Sequence, residues 1–229
     1  TVTLVPDCDI SGGSNVTVAG LTGSQSADSG GLRVDGGGEI EMWSMWQNDT
    51  GKLTVHVVSE GLKNGSAYTV SIVLQNQDLA QASPTVSVQA SVTSAAGPHH
   101  GEGAYQTMDR PGSNAQGVLG GADPLMIHVP TFTTKAMGQS NPLASASNRL
   151  TLTLAADCDI TNGSTVTVGG LTGSRTASSA SIQLLEDDAY GPSAVWRQEE
   201  GEVVLRVGNS MMRNGSEYVA SFVLENNVS

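Results

Sequence analysis

Six asparagines stand in Asn-x-Ser/Thr triplets: Asn15, Asn48, Asn64, Asn162, Asn214 and Asn227. In that context the side-chain amide accepts N-linked sugar in a secretory pathway. The chain holds 12 asparagines, from which chance yields roughly two or three such triplets. The set therefore reads as glycosylation, although Asn64-Gly65-Ser66 and Asn214-Gly215-Ser216 also have the composition of a tight turn. A second candidate is the triplet Asp-Cys-Asp, present as Asp7-Cys8-Asp9 and Asp157-Cys158-Asp159. Calcium takes about six to eight oxygens, and no EF-hand or nonapeptide pattern supplies the remainder. Asp7, Asp9, Asp157 and Asp159 are expected at strand ends, capping turns and facing water, with calcium the weaker alternative. Two thiols are too few for a disulfide framework.

Catalytic constellations are lacking. His99, His100 and Glu102 lie in a Gly-containing stretch without a third strong ligand at suitable spacing, so a solvated loop is the expectation there. No Gly-x-Ser-x-Gly elbow is present, and Gly36 to Gly38 fall between strand-like segments rather than before a helix. Nothing marks a cleft for paired carboxylates. The expectation is a protein that is not an enzyme and carries no catalytic cofactor. A net charge of −12 argues against nucleic acid or an anionic membrane as partner. No apolar run approaches the roughly 20 residues of a membrane span, and the first residues show no leader pattern, so the chain reads as a mature or excised piece.

Stepping from residues to elements, the dominant signal is internal repetition. Residues 1–79 align without a gap on residues 151–229, with about 30 of 79 positions identical. TVTLVPDCDISGGSNVTVAGLTGS in the first copy matches TLTLAADCDITNGSTVTVGGLTGS in the second. Within each copy the apolar period is two, as in Leu53, Val55, Val57 and Val203, Leu205, Val207, which is a strand signature. Asn64-Gly65 and Asn214-Gly215 sit between two such runs and suit a hairpin. Trp46 and Trp196 align, as do Tyr68 and Tyr218, and fixed places in a strand repeat make them core residues; Trp43 has no counterpart and is expected at the surface. Cys8 and Cys158 occupy one equivalent position per copy, so a bond inside one domain is excluded. Each is expected as a partly buried unpaired thiol, the alternative being an inter-chain cross-link.

The fold expected is all-β: tandem Ig-like antiparallel sandwiches, repeat 1 at 1–94, a linker or long loop at 95–121, and repeat 2 at 122–229. Residues 83–90 are strand-like and close the first sandwich, with no equivalent in the second copy. Residues 125–137, interrupted at Pro130, read as a first strand for the second sandwich, with no equivalent in the first. Each sandwich thus lacks one edge strand within its own segment, and the lacking pieces are complementary.

The run Pro130-Thr131-Phe132 through Lys135, Gly138-Gln139-Ser140 and Pro142, followed by Asn148 and the Leu-Thr-Leu-Thr-Leu run, resembles a repeat of about 150 residues in very large secreted proteins of unicellular algae and related protists. The resemblance covers most of the chain. It implies extracellular or cell-surface structural material, such as fibrils, and no catalytic motif. Bacterial adhesins share the strand pattern without the Gln-Ser-x-Pro segment. The expected role is a subunit of an extracellular glycosylated fibre, whose partner is itself, joined by strand complementation or as part of a longer repeat chain. The alternative is a carbohydrate-binding adhesin, with calcium.

Overall fold

The computed structural model describes residues 1–93, 100–187, 189–208 and 210–228. His99, placed by sequence in a solvated loop, lies outside the described residues. The two-residue apolar alternation converts directly into strands, and all strand pairs are antiparallel. No helix occurs among the described residues. Two compact units form: residues 1–113 with 120–129, and residues 114–119 with 130–229.

In unit 1, β1 (Val2–Leu4) pairs with β6 (Tyr68–Val70) in a two-stranded sheet. A second, seven-stranded sheet contains β2 (Asn15–Ala19), β3 (Ser29–Arg33), β4 (Trp43–Gln47), β5 (Lys52–His56), β7 (Ser87–Thr93), β8 (His100–Glu102) and β9 (Gln106–Thr107). Its order is β3-β4-β5-β2-β7-β8, with β9 also on β7. Val16, Val18, Trp46, Leu53, Val55 and Val70 from the two sheets meet in one buried cluster. The stretch 95–121, expected as linker, carries β8 and β9, both laid along the outer edge of β7. An edge of unpaired backbone groups is costly to leave bare, which accounts for these short additions. Ile127 joins the same unit by exchanging both backbone hydrogen bonds with Gln81, each 2.9 Å long.

In unit 2, β10 (Phe132–Gln139), β11 (Ser147–Ala156), β17 (Tyr218–Glu225) and β14 (Glu186–Asp187) form one sheet in the order β10-β11-β17-β14. The other sheet runs β12 (Thr165–Val168), β16 (Glu202–Arg206), β15 (Ser193–Arg197), β13 (Ser179–Gln183). Leu152, Leu154 and Phe222 from the first sheet bury against Val166, Trp196 and Leu205 from the second. Burying such a side chain contributes about 1.5–3 kcal/mol, an upper bound because the unfolded chain is itself compact.

The repeat is faithful at atomic level. Trp46 Nε1 donates to Ser26 O at 3.0 Å and Trp196 Nε1 to Thr176 O at 2.9 Å, so neither buried indole leaves its N–H unpaired. Tyr68 Oη accepts the Lys63 N–H at 2.8 Å, and Tyr218 Oη accepts the Arg213 N–H at 2.9 Å. The turns between carry Gly65 and Gly215 at φ 71 and 70, left-handed values that glycine takes without steric cost.

The strand expected over 125–137 begins instead at Phe132, beyond Pro130, which has no N–H to offer a ladder. Its hairpin to β11 is held from inside by Asn148, 3% exposed. Asn148 Oδ1 accepts from the N–H groups of Ser140 and Asn141 at 3.2 and 3.0 Å, and its Nδ2 donates to Gln139 Oε1 and Asn226 Oδ1 at 2.8 and 3.0 Å. Asn226 Nδ2 then donates to the carbonyls of Asn141 and Leu143, both at 2.8 Å. The Gly-Gln-Ser-x-Pro segment is thereby the loop that wraps a fully bonded buried amide.

Candidate functional site

The two aspartates of each Asp-Cys-Asp triplet do different things. Asp9 and Asp159 cap the turn: their Oδ1 atoms accept the Asn64 and Asn214 N–H groups, both at 2.9 Å. Their Oδ2 atoms take Lys63 Nζ at 3.3 Å and Arg213 Nη1 at 3.2 Å. The bond from Asn64, then that from Lys63, holds the Asp9 carboxyl below the usual aspartate range. Asp157 instead grips the start of β10, its oxygens accepting from Thr131 N at 2.8 Å and Thr131 Oγ1 at 2.6 Å, while its own N–H donates to Thr131 O at 3.0 Å. Calcium at Asp157 or Asp159 would have to displace these bonds. Asp7, the counterpart of Asp157, is exposed.

The two cysteines differ as well. Cys158 is buried, whereas Cys8 is exposed. Loss of hydration, then the charge of Asp7, pushes the Cys8 thiol above its ordinary value; burial, then Asp157 and Asp159, does so for Cys158. Both are thus held as thiols, the less reactive form. An inter-chain bond through Cys158 would require unit 2 to open; Cys8 is accessible without that.

The sequon asparagines also divide. Asn64, Asn162, Asn214 and Asn227 are exposed, and Asn15 and Asn48 half-buried. Asn214 Nδ2, the atom a glycan would need, donates to Gly117 O at 2.7 Å. Asn15 Oδ1 is engaged by His56 Nδ1. Asn227 Oδ1 accepts the Val228 N–H at 2.9 Å. Asn64 and Asn162, on exposed turns, offer the least encumbered amides.

Because the units repeat, each serves as a reference for the other. Leu152, Leu154, Phe222 and Leu224 are buried in unit 2, where β10 lies along β11. Their counterparts Val2, Leu4, Ile72 and Leu74 are only half-buried in unit 1, where β1 has no strand on its outer side among the described residues. A cavity of about 1080 Å³ opens there, lined by these four side chains and by Val88, Ala90 and Val92 on the inward face of β7. The converse holds at the opposite sheet. Val18 and Leu21 are buried in unit 1 beside β7, while Val168 and Leu171 in unit 2 are half-buried.

Glycines report the same contrast. A Cβ at Gly20 would stand 2.2 Å from Thr85 O, whereas one at Gly170 would meet nothing within 4 Å. Both have positive φ, 89 and 86, so glycine is required at either for backbone reasons. The difference is the chain that runs past one and not the other. On β10, Lys135 and Met137 pair with Leu154 and Leu152 and share their side of the sheet, yet both are exposed. Met137 is 39% exposed.

Trp43 is 55% exposed, as expected, and with Met45, 46% exposed, stands on the outward side of β4, just after exposed Met42. Their counterparts Pro192, Ser193 and Val195 form no such patch. His100 and Glu102 fall within β8. Sequence reasoning singled out neither Thr131 nor Asn148 as anchors; the signal for Thr131 was its place just before an apolar-alternating run that follows a proline. Neither any protein-family model nor any curated protein matches the chain.

Proposed function

We propose that this chain is a structural module of an extracellular, glycosylated fibre, made of tandem Ig-like sandwiches whose open strand positions are filled by neighbouring repeats or copies. The observation that carries this reading is reciprocity. Among the described residues, the strand position filled by β10 in unit 2 is an apolar groove in unit 1, and no strand lies at the position in unit 2 that β7 takes in unit 1. Two half-exposed apolar edges of opposite kind favour strand addition, in which backbone bonds supply affinity and alternate side chains supply register. A strand seating three or four apolar side chains gains about 1.5–3 kcal/mol for each one fully buried, before ordering costs. The tyrosine that bonds back to the chain before its strand, and the buried tryptophan in each unit, are features that Ig-like sandwiches use. The role is mechanical, the partner is the protein itself, and the sequons on exposed turns carry glycans that shield the fibre.

A second reading, an adhesin that binds carbohydrate, is favoured by Trp43 with Met42 and Met45, an exposed apolar platform present in one unit only. Negative-stain micrographs of the purified chain over rising concentration, together with a panel of sugar columns, separate the two. Uniform filaments without sugar retention are expected. Dispersed monomers that a sugar column retains through Trp43 would support the adhesin instead.

A further inference from the structure

Resting on the glycosylation in that reading, we propose that Asn15 carries a glycan whose first sugars lie across Trp43 and Met45. The outward face of unit 1 is then a seat for the protein's own N-linked sugar. The strand order places β5 between β4 and β2. Asn15 pairs with His56, and Thr54 pairs with both Thr17 and Met45. These side chains alternate with buried Val16, Leu53, Val55 and Trp46, so they stand on the opposite, outward side. Trp43, two residues before Met45, shares that side, at the end of the sheet that holds Asn15 and His56. Two strand spacings, roughly 10 Å, separate β4 from β2, a gap that the asparagine side chain and two sugars span. The floor between them is low, because Thr54 and Thr17 are short.

The amide is held for this role. His56 Nδ1 donates to Asn15 Oδ1, which fixes the amide plane and engages only its acceptor. Nδ2, the atom that bonds to sugar, has no hydrogen-bond partner among the described residues, unlike that of Asn214. N-acetylglucosamine presents a face of polarised C–H groups, which the electron-rich face of an indole and a soft thioether both attract. Arg33 pairs with Trp43 at the far rim and brings N–H donors for sugar hydroxyls. Unit 2 lacks both halves of the arrangement: Asn15, Trp43 and Met45 correspond to Thr165, Ser193 and Val195. Its sequon sits three residues earlier, at Asn162 on the turn before β12, where unit 1 has Gly12. Sequon and aromatic platform thus come onto the sheet face together. A glycan tethered beside the patch covers it, and so closes Trp43 to sugars from outside.

The test uses the full chain secreted from a eukaryotic host. Thr17→Val deletes the sequon while keeping Asn15 and its His56 bond, and Asn15→Gln removes the glycan by a second route. Of the three tryptophans, Trp46 and Trp196 are buried, so acrylamide quenching of fluorescence reads Trp43. Glycopeptide mapping is expected to find Asn15 occupied. Quenching is expected to be at least about twofold weaker in the glycosylated chain than in either variant, since a sugar shields one face of the indole. Packing, as distinct from shielding, is read from the melting temperature. Thr17→Val lowers it by about 2–4 °C where Trp43 is present, and by less in a Trp43→Ala background, where the contact is already gone. An unmodified Asn15 in a chain glycosylated at Asn64 and Asn162 overturns the proposal and leaves glycosylation standing. Equal quenching with and without the Asn15 glycan does the same, as does an equal melting shift in both backgrounds. A chain bare at every sequon removes this proposal and the glycosylation beneath it together.

Discussion

Asp159 holds its turn with both carboxylate oxygens and is 14% exposed at the side chain. Asp159→Ala strips the Asn214 N–H and the Arg213 guanidinium of their acceptor and is expected to cost about 1–2 kcal/mol, read from the urea midpoint. Tyr218→Phe, which removes the acceptor of the Arg213 N–H, is expected to cost about 1 kcal/mol by the same measurement. Acid acts through the same kind of group. The folded-state pKa values of Asp9 and Glu186 are depressed, the first by Asn64 and Lys63, the second by Ser221 and Arg149. A depressed carboxyl contributes stability above its unfolded value and loses it as pH falls through the folded one. The melting temperature is therefore expected to be level above about pH 5 and to fall below about pH 4, the ordinary carboxylate range. A fall that begins near neutrality would contradict these assignments. Of the two thiols, Cys8 should label first, and its labelling rate should rise with pH to a midpoint above about 8.5, the unperturbed value.

At the scale of elements, what positions β10 is a buried amide, and its removal is the sharpest probe. Asn148→Leu fills similar volume but removes the acceptor of the Asn141 N–H and the donor to Asn226 Oδ1 inside the hairpin. The expected loss is about 2–3 kcal/mol, with hydrogen exchange at β10 rising more than elsewhere in unit 2. The sequons belong to this scale as well, because the backbone around each decides whether its amide is presented. In a eukaryotic secretory host, Asn64 and Asn162 are expected to gain glycan mass and Asn214, tied to Gly117 O, to stay unmodified. Glycopeptide mapping before and after glycosidase checks this, and an unmodified Asn64 and Asn162 would remove glycosylation from the account. Strand alternation made β2, β5 and β16 legible from composition alone, since Val16, Val18, Leu53 and Leu205 are each buried at the expected spacing. The bonds around Asn148 were not legible. A polar residue at the start of an alternating run carries no periodic signal, and its partners Gln139 and Asn226 lie 9 and 78 residues away. The start of β10 was misplaced upstream because Leu125 and Ile127 are apolar for another reason: they pack in unit 1.

For the whole molecule, the repeat of 150 residues was the most legible feature. Strands such as Ser29–Arg33 and Ser179–Gln183, or Lys52–His56 and Glu202–Arg206, fall at identical bounds after that shift. Residues 83–90 and 125–137, which the two copies do not share, were expected as strands, and β7 and β10 occupy parts of them. What composition did not disclose is the difference in burial between equivalent positions, seen when half-buried Val168 and Leu171 are set beside buried Val18 and Leu21. The central claim is that assembly closes these edges with backbone from a neighbour. Its most direct measurement is hydrogen exchange by mass spectrometry, comparing dispersed chain with assembled material at matched pH. The account predicts that peptides covering residues 2–6 and 165–168 pass from fast to slow exchange on assembly, while the central strands β5 and β16 change little. Assembled filaments in which both edges exchange as fast as in the dispersed chain would contradict it.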